Sequence, residues 1–192
     1  MSELPLIAVT DSATCPRPLA EQIERLAKLT KLRPQAVILR AKSLDKAAYR
    51  KLALQAQQSC EAAGIPLILH SDWQLAHELG ISKLHLPLAL LRQLPTYERA
   101  HFTWLSTSVH SVDEAIEAQA LGATVLIAGH IYTTQCKAGL APRGLGFLQA
   151  VCSAVSLPVY AIGGIGFDAV QHAELQANGA CGACVMSAYM KL

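Results

Sequence analysis

Apolar residues gather in eight short, evenly spaced runs, at 5–9, 36–39, 66–69, 83–86, 102–105, 124–128, 158–162 and 182–186. Each run is continuous rather than alternating. That pattern belongs to strands buried on both faces, as in a parallel sheet. Between the runs the apolar spacing becomes helical. Leu19, Ile23, Leu26 and Ala27 recur at helical intervals behind Pro16 and Pro18, where a first turn tolerates proline. Ser43 precedes a second helix carrying Leu44, Ala47, Ala48 and Leu52. Ser111 and Glu114 form a capping-box pair, in which each side chain satisfies an orphan amide. Ala115, Ile116 and Ala120 continue that helix, and Gly122 ends it. Asp168 caps a further helix running through Ala177 and closed by Gly179.

Eight strands alternating with helices predict a compact single-domain (β/α)8 TIM barrel over residues 1–192. An open flavodoxin-like sheet needs five strands and leaves three over. The barrel is a tight one, at about 24 residues per unit (192 divided by 8). Its last unit is short, since only residues 188–192 follow the eighth strand. That shortness and the apolar composition predict self-association.

The chain is 52% hydrophobic and 16% charged, against about 25% charged in an average domain. This excludes a disordered chain. Lys and Arg number 16 against 14 Asp and Glu, for a net charge of +2. They form no stripe, so nucleic acid is not an expected partner. Residues 144–167 carry no charge but include Gln149, Ser153, Ser156, Pro158 and a glycine pair. They read as helix then strand, so no membrane span is expected. The start, Met1-Ser2-Glu3-Leu4-Pro5, lacks the basic residues and apolar run of an export signal. A cytoplasmic location follows as an expectation, with the six cysteines as reduced thiols.

Such barrels carry their chemistry at the C-terminal ends of the strands. Those ends hold Thr10-Asp11, Arg40 with Lys42, His70-Ser71-Asp72, Ser106-Thr107-Ser108, Gly129-His130, Gly163-Gly164 and Ser187. Only the fourth, at Pro87, shows no clear polar group, whereas the beginnings at Pro5, Ala36, Pro66 and Pro158 are bland. Gly163-Gly164 and Ser187 follow strands seven and eight, where barrels often bind phosphate through backbone amides. The bland alternative is a plain turn pair. The loop 133–144, with Lys137, Arg143 and several glycines, suits a lid over an anion and equally a solvated surface loop.

His130 stands at the mouth, and an imidazole both takes and gives a proton near neutrality. His70 and His110 lie nearby in the pattern, while His85 and His172 are assigned to packing or surface. Cys181 and Cys184 form a C-x-x-C that enters a buried strand rather than opening a helix. No second pair or adjacent His completes a zinc set, which weighs against redox or metal chemistry there. No phosphate loop of the nucleotide-hydrolysing type and no dinucleotide-binding glycine motif is present.

With these residues in place the chain resembles the thiamine phosphate synthase and TenI superfamily over nearly its whole length. The resemblance lies in Leu6-Ile7-Ala8-Val9-Thr10-Asp11, Leu39-Arg40-Ala41-Lys42, Ser106-Thr107-Ser108-Val109-His110-Ser111, Ala161-Ile162-Gly163-Gly164-Ile165 and Val185-Met186-Ser187. Synthases of this superfamily hold magnesium with aspartates, one in an Asn-Asp-Arg motif and one in a Gly-Gln-x-Asp motif. Here those places read His70-Ser71-Asp72 and Leu86-Pro87-Leu88-Ala89. Ile38 and Ala41 also replace the Gln and Glu of the synthase pattern. Residues 129–140, beginning Gly129-His130-Ile131-Tyr132, look instead like the TenI branch, the thiazole tautomerases. The resemblance therefore implies a metal-independent isomerase that needs no cofactor and self-associates as a homodimer. Its substrate would be a small carboxylated, phosphorylated thiazole, with His130 as acid–base catalyst. It implies phosphate contacts from Gly163, Gly164 and Ser187, and carboxylate contacts from Arg40 and Lys42. Ser71, Ser108, Lys137 and Met186 are further expected substrate contacts. Two alternatives stand beside it: a working thiamine phosphate synthase, and a non-catalytic protein that binds a phosphorylated ligand for regulation.

Overall fold

The computed structural model describes residues 3–137 and 139–192. Its strands are β1 (Leu6–Val9), β2 (Ala36–Leu39), β3 (Leu67–His70), β4 (Lys83–Pro87), β5 (Trp104–Val109), β6 (Val125–Gly129), β7 (Val159–Ile162) and β8 (Gly182–Val185). All pair in parallel with their sequence neighbours, and β8 returns to β1 through Ile7 opposite Cys184. The result is a closed (β/α)8 barrel. The helices between strands are α1 (Leu19–Ala27), α2 (Lys46–Ala63), α3 (Trp73–Glu78), α4 (Leu88–Gln93), α5 (Thr96–Arg99), α6 (Val112–Ala120), α7 (Gly144–Ala154), α8 (Ala169–Ala177) and α9 (Ser187–Met190). None of the described helices is long and apolar enough to cross a membrane.

Alternate strand residues belong to two separate cores. Ile7, Val9, Ile38, Ile68, Val125, Ile127, Tyr160 and Cys184 fill the lumen. Ala8, Val37, Leu39, Leu69, Leu84, Leu86, Leu126 and Val185 face the helices and pack with residues such as Ile23, Leu26 and Leu52. Both strand faces are thus buried, which is why the runs are continuous rather than alternating. Trp104 and Tyr160 meet edge to face at 5.6 Å in the lumen, near the beginnings of their strands.

Three local expectations change. The fifth strand runs to Val109, beyond the expected end at residue 105. Ser106 and Thr107 are buried because each hydroxyl finds a carbonyl on β4: Ser106 bonds Leu84 at 3.3 Å and Thr107 bonds Leu86 at 2.7 Å. The second helix begins at Lys46, capped by Asp45, which accepts from the Ala48 amide at 2.8 Å; Leu44, expected within it, lies before the helix and is exposed. Ser111 caps α6 as expected, but Glu114 reaches the amide of His110 rather than that of the capping residue.

The final helix, α9, is only four residues long. It still buries Tyr189 and Met190 completely. The Gln22 amide donates to the Tyr189 carbonyl at 2.6 Å, and the Tyr189 hydroxyl donates to the Leu32 carbonyl at 3.0 Å. These bonds dock the end of the described chain onto α1 and the segment before β2.

Candidate functional site

The parallel register brings a band of polar side chains across the C-terminal half of the barrel, from β2 to β6. Arg40 follows β2. Thr10 fixes its backbone, accepting from the Arg40 amide and donating to the Arg40 carbonyl, both at 2.8 Å. The Arg40 guanidinium is paired with Asp11. Arg40 therefore meets any incoming anion as one half of an ion pair rather than as a free cation.

His70 ends β3, and its Nδ1 lies 2.6 Å from the Ser71 hydroxyl. Ser71 itself takes a positive φ of 69°. The His70 ring lies 5.3 Å from that of His85, on β4. His85 is buried and bonded at both ring nitrogens, Nδ1 to Ser106 and Nε2 to Ser108, each at 3.0 Å. Its assignment to packing holds. Burial pushes the His70 pKa down to about 4, helped by the positive charges of Arg40 and Lys42. Burial and the neighbouring His70 push that of His85 down to about 3. Both imidazoles are neutral at pH 7.

Lys42, His70, Ser71, Asp72 and Tyr49 line a cavity of about 450 Å³ over the loops after β2, β3 and β4. His130, Gly163, Gly164 and Ser187 are not among its lining residues. The expected site residues thus form two groups. Ser108 is bonded to His85 and is not among the lining residues of the cavity either. Met186 packs on the lumen core. Lys137 is exposed in the short turn Gln135–Lys137.

His130 directly follows β6, across a cis peptide bond from Gly129. It is buried, and its Nε2 is sealed from solvent with no hydrogen-bond partner among the described residues. Its neighbours hold the backbone tightly. The Arg143 amide donates to the His130 carbonyl at 3.0 Å, and the Ile131 and Tyr132 amides donate to the carbonyls of Ile162 and Gly163, both at 2.9 Å. His110, left without a role by sequence reasoning, bonds the Gly129 carbonyl through Nδ1 at 2.6 Å. It buttresses the peptide that carries His130.

The glycine pair has a structural task that sequence alone did not show. Gly163 and Gly164 adopt φ of 105° and 70°. A Cβ on Gly163 would stand 2.3 Å from the Cβ of His130, and one on Gly164 would stand 2.5 Å from the Thr133 carbonyl. The two loops approach so closely that only glycine fits. Gly163→Ala is therefore expected to cost about 2–4 kcal/mol, from left-handed strain and overpacking together. Urea denaturation of the variant checks this; a loss below about 1 kcal/mol would show that the loops can part.

The magnesium site implied by resemblance to the synthases requires free carboxylate oxygens at the mouth. Asp11 is held by Arg40, and Asp72 caps α3 by accepting from the Leu75 amide at 2.9 Å. Pro87 and Leu88 occupy the other expected position. Among the described residues, the only cluster of three potential ligands lies elsewhere, at His77, Glu98 and His101. Asp11 and Asp72 join no such cluster among the described residues.

A closed parallel barrel with its polar residues gathered at the C-terminal strand ends places the protein in the TIM-barrel class. Residues 6–189 match the family model described as thiamine monophosphate synthase, and the chain belongs to this thiamine monophosphate synthase/TenI family. It is 38% identical over 154 residues to the thiamine-phosphate synthase of Listeria monocytogenes serotype 4b, covering 77% of this chain and 71% of that one. It is 31% identical over 160 residues to the thiamine-phosphate synthase of Lacticaseibacillus paracasei, covering 81% and 72%. Among solved structures it is similar to thiamine phosphate pyrophosphorylase from Pyrococcus furiosus, with a TM-score of 0.79 at 23% identity over 98% of this chain and 88% of that one. That last likeness concerns the fold alone.

Proposed function

We propose that the protein is a metal-independent thiazole tautomerase of thiamine biosynthesis. The observation that carries this reading is the His130 Nε2, a sealed ring nitrogen with no partner, on a backbone pinned from three sides. An unsatisfied buried polar atom costs about 1–3 kcal/mol, and a bound substrate would supply the missing partner. In the proposed reaction a proton leaves the ring carbon that bears the carboxylate. The C–H electron pair enters the ring, the exocyclic double bond takes up a proton at its outer carbon, and the ring becomes aromatic. Nothing is oxidised or reduced, so an acid–base group suffices. His130 transfers the proton. Lys42 and Ser71 line a cavity that His130 does not line, so they would receive the carboxylate of a substrate that reaches from that cavity to His130, with Arg40 acting through its Asp11 pair. Gly163, Gly164 and Ser187 face the phosphate.

A second reading is thiamine-phosphate synthase, the coupling of a pyrimidine diphosphate with a thiazole phosphate. The names of the relatives at 31–38% identity favour it over the tautomerase. The pairing of Asp11 with Arg40, and Pro87 and Leu88 at the other expected acidic position, favour the first. Two assays on the unmodified protein decide between them. With chelator present, deuterium from solvent is expected to enter the carboxylated thiazole phosphate. Magnesium-dependent formation of thiamine phosphate from the two halves is not expected. Coupling without metal-free exchange would establish the second reading and overturn the first.

A further inference from the structure

We propose that His77, Glu98 and His101 form a binding site for a divalent transition-metal cation of the zinc type. The site is remote from the barrel mouth and independent of the reaction proposed above. His77 lies in the last turn of α3, shortly before β4 begins; Glu98 lies in α5 and His101 in the turn before β5. All three therefore sit near the strand beginnings, at the opposite end of the barrel from His130. The amide of His101 donates to the Glu98 carbonyl at 3.1 Å, so one turn holds these two ligands together. The third comes from the preceding βα unit.

Three facts point to a cation. One carboxylate oxygen of Glu98, Oε2, is sealed from solvent and accepts no hydrogen bond among the described residues. Its side chain is only 12% exposed, and its one ion-pair partner among the described residues is His77, at 3.8 Å. Two imidazoles flank it with ring centroids 5.0 Å apart. One donor atom from each of the three lies within 4.8 Å of the other two. Bonds of about 2.0–2.1 Å in a tetrahedron put ligand atoms roughly 3.4 Å apart, so contraction by at most about 1.4 Å closes the site. Two imidazole nitrogens and one carboxylate oxygen suit zinc, nickel, copper or cobalt better than magnesium or calcium. The His77 side chain is 55% exposed, which leaves a coordination position open to solvent. A bound ion would staple the third βα unit to the fourth.

The test is titration of the untagged protein with zinc, and with cobalt as a spectroscopic probe. One equivalent of zinc is expected to bind with a Kd of about 1–10 μM and to raise Tm by about 2–4 °C, by mass action on the folded state. Cobalt is expected to give the intense visible bands of a low-coordinate site. His77→Ala and Glu98→Gln are each expected to weaken zinc binding at least tenfold; His77 is exposed, so the first variant leaves the core untouched. Failure to saturate below 1 mM, or binding that both variants leave unchanged, would overturn the proposal.

Discussion

His130→Asn is expected to slow proton exchange at the thiazole by about 10²–10⁴ while leaving affinity for the phosphorylated ligand within a few-fold. Asparagine keeps the Cβ that packs on Gly163 and keeps a hydrogen-bonding tip, but it cannot take up and release a proton near neutrality. The surrounding loop is held by backbone bonds from Ile131, Tyr132 and Arg143, none of which involves the imidazole. The substitution should therefore remove chemistry without moving the site. Single-turnover deuterium incorporation measures the first quantity, and calorimetric titration with the carboxylated thiazole phosphate measures the second. Loss of both together would mean that His130 supports the loop instead of acting in it. Unchanged exchange would remove the residue from the mechanism and leave the proposed function without its base.

Much of the barrel was legible because its strands bury both faces. A continuous apolar run of four or five residues needs no tertiary knowledge to be read as such a strand. The reading failed where polarity is satisfied across strands. Ser106 and Thr107 look like a loop until β4 supplies carbonyls for their hydroxyls. The Arg40–Asp11 pair joins residues 29 apart in sequence. Yet it was within reach, because β1 and β2 are adjacent and in register, with Val9 opposite Ile38. Opposite charges just past those two ends were bound to meet. The glycine pair was seen, but its reason was not, since the side chain it must clear belongs to a loop more than thirty residues earlier. His77, Glu98 and His101 have no spacing that signals a site. They converge only because α3 and α5 both return to the strand beginnings.

The polar interior has a consequence for stability that can be measured without knowing the substrate. His70 and His85 are held neutral in the folded barrel, with pKa values lowered to about 4 and about 3. Unfolding releases both into water, where an imidazole titrates near 6.5. From these groups the unfolded chain therefore binds about one more proton than the folded one at pH 6.5 and nearly two more at pH 5. Stability is then fully present above about pH 6.5 and falls as the pH is lowered towards 4. Each histidine contributes a loss of about 2 kcal/mol between pH 7 and pH 5, since one pKa unit is about 1.4 kcal/mol. Together that is a large fraction of the 5–15 kcal/mol typical of a whole domain. Urea unfolding at pH 7.0, 6.0 and 5.0 should show midpoints that drop steeply with pH. His70→Gln, which removes one of the two titrating groups, should roughly halve the slope. A wild-type midpoint that stays level from pH 7 to pH 5 would mean that the two rings are not kept neutral by burial. The hydrogen-bonded histidine–serine band between β3 and β5 would then have to be redrawn.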